Sequence, residues 1–147
     1  MIVKEKQLKI LLVEDNPDDV LLIKFALNKE NVLNEMFIAK DGEEAEEFLN
    51  KKGTFTQMPT PELIILDLNL PKKDGFSVLK TIKSNQELKM LPVIVLTTST
   101  NPDDIHRCYS EYANCYIKKP SDLQEFLKII RNIKALWLDT AILPSLN

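Results

Sequence analysis

Glycine, cysteine and histidine are scarce in this chain of 147 residues, and each scarcity excludes a class of site. The three glycines, Gly42, Gly53 and Gly75, are too far apart to form the glycine-rich loop of a Walker or Rossmann nucleotide site. The single histidine, His106, and the two cysteines do not have the spacing of a zinc site. A phosphate group would have to be bound in another way.

The chain also lacks a surplus of basic residues. Its 19 basic and 22 acidic side chains leave a formal net charge of −3, which argues against sequence-independent binding to nucleic acid or to an anionic membrane. Cys108 and Cys115 are better explained as free thiols in a reducing compartment than as a disulfide. Residues 1–8 lack the apolar stretch of a signal peptide. We therefore expect a cytoplasmic protein of one domain, with no membrane span.

Five short apolar runs alternate with amphipathic segments. Apolar side chains at consecutive positions are typical of strands that are covered on both faces of a sheet. The runs lie at 9–13, 36–39, 63–66, 93–96 and 115–117.

Helical signals follow each run. Asn16 and Pro17 provide a cap and a first-turn proline for the first helix, and the early acids Asp18 and Asp19 suit its dipole. Later helices are predicted over 43–51, near 76–83, from 102 onward, and from 121 or 122 towards 138. Alternating strands and helices predict an α/β fold with a parallel sheet, helices on both faces and right-handed crossovers. Residues 52–61 are predicted to form an unusually long loop.

Polar residues stand where four of the five predicted strands end. Glu14 and Asp15 follow the first strand, Asp67 follows the third, Thr97 follows the fourth, and Lys119 comes just after the fifth. Ligands of doubly wound sheets bind beyond the carboxyl ends of the strands, so we expect these side chains to converge there. Any one of these residues could equally be an inert, solvated residue at the end of a strand. Their occurrence together, at four strand ends and in this chain order, favours a functional site.

This set of side chains is suited to phosphate chemistry. Clustered carboxylates repel each other unless a cation neutralises them, and oxygen ligands favour Mg²⁺. A metal held by Asp15 and Asp67 would neutralise the charge of an incoming phosphoryl group. Asp67 could then act as a nucleophile, while Lys119 and Thr97 would contact the phosphoryl oxygens.

Four segments of the sequence resemble the receiver domain of two-component response regulators. They are 10–16, 65–75, 95–98 and 116–120, and the resemblance covers about residues 8–134. It implies a CheY-like, flavodoxin-like fold with five strands in the order 2-1-3-4-5 and five helices. It also implies that residues 1–147 form a single receiver domain with a short apolar tail and no output domain. The output would then be a change in protein–protein contacts.

The resemblance implies a role for each site residue. Asp67 would be the phosphoacceptor. Mg²⁺ would be held by Asp15, by Asp67, by the backbone carbonyl of Asn69 and, through a water, by Glu14.

The resemblance further implies that Thr97 is the switch hydroxyl, Tyr116 the switch aromatic and Lys119 the lysine that pairs with the phosphoryl group. It implies a cis peptide bond between Lys119 and Pro120.

A narrower resemblance concerns the partner. The segments 68–75, 52–61 and 135–144 resemble those of small stand-alone regulators that partner phytochrome histidine kinases. A different sensor histidine kinase, or a phosphorelay, is the alternative partner. By the same resemblance, the kinase would dock near the first helix and the loop after the fifth strand. The candidates are Asn16, Pro17, Val20, Leu21, Pro120 and Ser121.

The fifth helix has a wide apolar arc. Leu123, Phe126, Leu127, Ile130 and Trp137 have the spacing to face the sheet. The arc extends beyond the stripe that core packing requires. Either the tail, with Ile142, Leu143 and Leu146, folds back over it, or it forms a homodimer or partner surface. The dimer would use the face made by helix 4, strand 5 and helix 5, together with the tail. The candidate partner residues are Ile129, Ile133, Leu136 and Trp137.

Two other functions share parts of this pattern. An aspartyl phosphatase or phosphotransferase would place a second acid two residues after the nucleophile, where this chain has Asn69. A flavin-binding module would have a loop rich in hydroxyls and glycine after the first strand, where 14–16 reads Glu-Asp-Asn. We therefore predict a phosphoacceptor signalling protein that assists its own phosphorylation and dephosphorylation, rather than an enzyme with a separate substrate.

Overall fold

A single parallel sheet of five strands organises the computed structural model, which describes residues 7–144. The strands run in the spatial order β2-β1-β3-β4-β5, and every neighbouring pair is parallel. This is the predicted 2-1-3-4-5 order of the CheY-like fold, so the predicted fold class is confirmed. The strands are β1 (Leu8–Val13), β2 (Asn34–Ala39), β3 (Leu63–Leu66), β4 (Val93–Thr97) and β5 (Cys115–Lys118).

Five α-helices connect or follow the strands. Each begins after a residue whose side chain accepts a hydrogen bond from a backbone N–H of the first turn, which satisfies donors that the helix itself leaves free. The caps are Asn16, Asp41, Asp74, Asn101 and Asp122. The helices are α1 (Pro17–Lys29), α2 (Gly42–Leu49), α3 (Gly75–Ser84), α4 (Pro102–Ser110) and α5 (Leu123–Ile133), and a π-helical segment (Lys134–Thr140) continues α5.

The strands separate two apolar layers, which explains their unbroken apolar sequences. In β1, Leu11 and Val13 pack with α2, α3 and α4 on one face, whereas Ile10 and Leu12 pack with α1 and α5 on the other. Because successive side chains point to opposite faces, a strand covered on both faces must be apolar at every position.

Two predictions about side chains at the helical layers are refined by the structure. Leu123, predicted to face the sheet, is instead 42% exposed, at the first position of α5. The predicted 52–61 loop is anchored to the core: it contains a short 3-10 turn (Gly53–Phe55), and the ring of Phe55 packs edge-on against Phe48 at 5.5 Å between centroids.

None of the helices within residues 7–144 is long and apolar enough to cross a membrane.

Candidate functional site

Three carboxylates meet at the carboxyl edge of the sheet. One oxygen from each of Glu14, Asp15 and Asp67 lies within 4.8 Å of the others. The backbone N–H of Asp67 donates to Val13 at 3.0 Å, which extends the pairing of β1 and β3 up to the acids. Glu14 and Asp67 are buried, whereas Asp15 is exposed. The structure thus brings together the acids that the strand ends predicted.

The ammonium of Lys119 contacts two of these acids and a third acid from α1. It donates to Asp67 Oδ2 at 2.9 Å and to Glu14 Oε1. Its third bond goes to Asp19 Oδ2 at 2.9 Å. The backbone N–H of Lys119 donates to the carbonyl of Thr97 at 2.7 Å, which continues the pairing of β4 with β5 and brings the side chain to the acids. Asp19, which the sequence suggested only as a helix-dipole residue, is therefore part of the site.

The electrostatics of the site assign different protonation behaviour to its two buried acids. Burial, together with the nearby charge of Asp67, raises the pKa of Glu14 to about 7. Burial alone would also raise the pKa of Asp67, but hydrogen bonds from Lys119 and Glu14 hold it below its ordinary value. The pKa of Lys119 is raised, because its bonds to the carboxylates outweigh the effect of burial. A proton added to this cluster therefore goes to Glu14 first, and Asp67 stays a carboxylate.

Thr97 presents a hydroxyl that no hydrogen bond satisfies within residues 7–144. The residue is fully buried, at 0% exposed, and an unsatisfied buried hydroxyl costs about 1–3 kcal/mol. It stands at the end of β4, on the edge that carries the acids. An orphaned donor at this position is suited to a ligand oxygen.

Tyr116 is tied to the loop that follows Thr97. Its hydroxyl donates to the carbonyl of Ser99 at 2.9 Å. The Ser99 hydroxyl in turn donates to Asp104 of α4 at 2.6 Å. The loop between β4 and α4 is thus held from two sides, by β5 and by α4.

The loop between β3 and α3 is shaped by two of the three glycines. A Cβ on Gly75 would lie 2.3 Å from the carbonyl oxygen of Asp67, and a Cβ on Gly42 would lie 2.0 Å from that of Lys73. Real side chains do not approach so closely, so both positions require glycine. The backbone N–H of Asn69 donates to Asp67 Oδ1 at 3.3 Å, which holds the carboxylate in place.

The acid cluster fits a divalent cation. Three carboxylate oxygens lie within reach of one ion, two of them belong to buried residues, and the single ammonium cannot neutralise them all. Such a hard oxygen donor set suits Mg²⁺ or Mn²⁺.

The predicted cis bond before Pro120 is wrong: no peptide bond among residues 7–144 is cis. The trans isomer is the intrinsically favoured one before proline.

The predicted partner residues fall into two groups, one on α1 and the loop after β5, the other on α5 and the segment that continues it. On the α1 side, Leu21 is 64% exposed and Val20 is half-buried against the core. Phe25, one turn later and 50% exposed, was missed by the sequence analysis although it has the i, i+4 spacing from Leu21. Asn16, Pro17 and Ser121 are exposed, and Pro120 is half-buried.

On the α5 side, Leu136 is 55% exposed, and Ile129 and Trp137 are half-buried. Ile133, predicted as a partner residue, is only 4% exposed, because it packs in the core layer beneath α1 and α5. Within residues 7–144, Leu136 stays exposed, and Ile142 of the tail is itself 97% exposed. Leu143 instead lines a cavity beside Trp137 and Leu138, and Leu146 lies outside the described residues.

The fold and the site together define a class. A five-stranded parallel sheet in this order, with clustered acids, a buried threonine and a lysine at its carboxyl edge, is a CheY-like α/β domain with an acidic cation site. The model of the response regulator receiver domain matches residues 10–131. The chain therefore belongs to the response regulator receiver family.

Similar proteins place the chain more narrowly within that family. The response regulator Rcp1 of Synechocystis sp. is 45% identical over 136 residues, which are 92% of this chain and 92% of Rcp1. The crystal structure of the phosphorylated cyanobacterial phytochrome response regulator RcpA matches with a TM-score of 0.91 at 47% identity, over 95% of this chain and 100% of RcpA. The Mn²⁺-bound form of Rcp1 matches with a TM-score of 0.88 at 44% identity, over 93% and 99%.

Proposed function

We propose that Asp67 accepts a phosphoryl group from a phosphohistidine of a sensor kinase. The observation that carries this proposal is the contact of the buried carboxylate of Asp67 with Lys119, on the edge that also presents the unsatisfied hydroxyl of Thr97. A bound Mg²⁺ would be held by Glu14, Asp15 and Asp67, together with the backbone carbonyl of Asn69. When bound, it supplies positive charge that offsets the charge of the phosphoryl group. Of these residues, Glu14 would contact the Mg²⁺ ion through a water molecule.

The transfer moves one phosphoryl group without any redox step. A carboxylate oxygen of Asp67 bonds to phosphorus as the phosphorus–nitrogen bond breaks, and the departing imidazole nitrogen keeps the electron pair. The low pKa of Asp67 keeps this oxygen unprotonated, since Glu14 takes up the first proton of the pair. Lys119 then pairs with a phosphoryl oxygen. The role is that of a phosphoacceptor with an assisted reaction at its own side chain, rather than an enzyme acting on a separate substrate.

The proposed switch starts at Thr97. Its hydroxyl donates its missing hydrogen bond to a phosphoryl oxygen, and this pulls the loop that carries Ser99. Tyr116 then loses its bond to the Ser99 carbonyl and turns inward. The face made by α4, β5 and α5 changes as a result, which is a local electrostatic event acting on a two-state element.

We propose a phytochrome-type histidine kinase as the donor. The support is the similarity to RcpA, a cyanobacterial phytochrome response regulator, and to Rcp1. Another sensor kinase or a phosphorelay is the alternative. The docking surface would be the exposed face of α1 with Leu21 and Phe25, together with Pro120 of the loop after β5. The proposal includes a cytoplasmic location, in keeping with the two free thiols.

We further propose a homodimer through the α4-β5-α5 face. An apolar groove of about 270 Å³ lies there, lined by Ile117, Ile129 and Leu136 among others. Exposed apolar patches of this kind mark interfaces. Sedimentation of Leu136→Glu is expected to give monomers, whereas the control Leu21→Glu, on α1, is expected to stay dimeric. A monomeric wild-type chain, phosphorylated or not, would contradict the dimer.

Phosphotransfer profiling tests the main proposal. The chain is incubated with Mg²⁺ and with phosphorylated histidine kinase domains, one of them of the phytochrome type, and labelling rates are compared. The phytochrome-type donor is expected to be fastest, and Leu21→Glu is expected to slow it. Asp67→Asn is expected to abolish labelling, whereas the control Asp18→Asn, in an exposed residue, retains it. Undiminished labelling of Asp67→Asn would refute the assignment.

A further inference from the structure

Lys119 has no free hydrogen-bond donor in the unphosphorylated site. An ammonium has three donors, and all of them are used, by Glu14, Asp19 and Asp67. A phosphoryl oxygen can therefore bind Lys119 only by displacing one of these partners. The question is which of the three carboxylates gives way.

The three carboxylates differ in how firmly they are placed. The side chains of Glu14 and Asp67 are 2% and 9% exposed, whereas that of Asp19 is 28% exposed. Glu14 also accepts a hydrogen bond from the backbone N–H of Asp15 at 3.1 Å. Asp19 comes from the first turn of α1 and not from a strand end, and it is not a member of the group that could hold a cation. Asp19 is the partner that costs least to release, because water can replace the lysine around it.

We infer that Asp19 is a positioning residue that holds Lys119 in the unphosphorylated site and competes with the phosphoryl group for it. This inference rests on the proposed phosphoacceptor role of Asp67. Phosphorylation turns one negative charge on Asp67 into a doubly charged group, so the attraction for Lys119 moves away from Asp19. The bond to Asp19 then breaks, and the α1 end of the site is released from β5.

The inference sets the sign of the effect of removing the charge. In Asp19→Asn, the amide oxygen can still accept a hydrogen bond, so the shape of the site is retained. The negative charge that competes for Lys119 and repels an incoming anion is removed. An anionic phosphoryl analogue should therefore bind more tightly to Asp19→Asn than to the wild-type chain.

The test measures the binding of beryllium fluoride, an analogue of the phosphoryl group, by calorimetry at saturating Mg²⁺. Asp19→Asn is expected to bind about two- to fivefold more tightly, the range of a partly exposed ion pair. Asp19→Glu, which restores the charge, is expected to return towards the wild-type affinity. The matched control is Asp18→Asn, which removes the same charge from the same helical turn at an exposed position without a contact to Lys119.

The outcomes separate this inference from the proposal on which it rests. Tighter binding by Asp19→Asn alone, reversed in Asp19→Glu, supports the positioning role. Equal shifts in Asp19→Asn and Asp18→Asn would overturn it, because the effect would then be a general field of the helix. Unchanged or weaker binding by Asp19→Asn would overturn it as well. A wild-type chain that does not bind beryllium fluoride would refute the proposed function itself.

Discussion

Replacing Lys119 by methionine tests the electrostatic account of the site through stability alone. The ammonium is the counterion of two buried acids, Glu14 and Asp67, with which it forms ion pairs. Methionine retains much of the length of the side chain and removes its charge and its donors. Losing one partner of a buried ion pair costs about 3–5 kcal/mol, because the remaining charge is left in a poorly solvated place.

The loss should depend on pH, and its sign follows from proton linkage. Without the lysine, we expect burial to raise the pKa of Asp67 above its unfolded value, while the pKa of Glu14 stays raised. Raised folded-state values stabilise the folded protein at low pH and cease to do so as the pH rises through them. We therefore expect a destabilisation of about 1 kcal/mol at pH 5, where the acids are protonated, and about 3 kcal/mol at pH 8.

The assay is urea unfolding of both proteins at the two pH values, with EDTA present. Adding Mg²⁺ should stabilise Lys119→Met more than the wild type, because no ammonium then repels the ion and binding to the folded state adds to stability. The control, Lys118→Met, changes an exposed neighbour and should shift stability by no more than about 0.5 kcal/mol. A loss that is the same at pH 5 and pH 8, or no loss at all, would refute this reasoning.

Three further predictions concern single positions. Thr97→Val should raise the free energy of unfolding by about 1 kcal/mol, since it removes an unsatisfied buried hydroxyl, while weakening the binding of beryllium fluoride; lower stability would contradict this. Gly75→Ala should lower the free energy of unfolding by about 1–3 kcal/mol through overpacking. Gly53→Ala, at a position with open space and a φ of +58°, should lower it less, by only about 1 kcal/mol. Equal losses for the two variants in urea unfolding would argue against the close contact at Gly75. Burial raises the pKa of both thiols, and with a nearby carboxylate it raises that of Cys108 to about 11. Because Cys108 is also buried whereas Cys115 is half-buried, Cys115 should react first with a thiol reagent at pH 8; simultaneous labelling would oppose this.

The fold could be predicted because its sequence signals are local and redundant. Each strand is apolar at consecutive positions and each helix begins at a capping side chain, as Asn16 and Asp122 illustrate. Five site residues could be predicted for the same reason, since the ends of β1, β3, β4 and β5 deliver Glu14, Asp15, Asp67, Thr97 and Lys119 to one edge by sheet order alone. The chemistry of these side chains suggested roles for Asp67, Thr97 and Lys119, and the resemblance to the receiver family added those of Asn69 and Tyr116.

The remaining features depend on contacts between distant segments. Asp19 has two electrostatic partners: the dipole of α1, in whose first turn it stands, and Lys119, which is 100 residues away in the sequence. Only the first partner can be predicted from the linear sequence. Ile133 has the same apolar pattern as Leu136, yet one is buried and the other exposed, because the course of the chain after α5 decides which side of the arc the core covers. The requirement for glycine at position 75 arises from the backbone of Asp67, which no periodicity reveals.

The central claim is that Asp67 is the residue that becomes phosphorylated. The most direct measurement is the location of the phosphoryl group by peptide mass spectrometry, after incubation of the wild-type chain with acetyl phosphate and Mg²⁺. The account predicts the added mass on the peptide that contains Asp67, and its disappearance when EDTA replaces Mg²⁺. Modification of a different residue, or an equal yield with and without the metal, would contradict it.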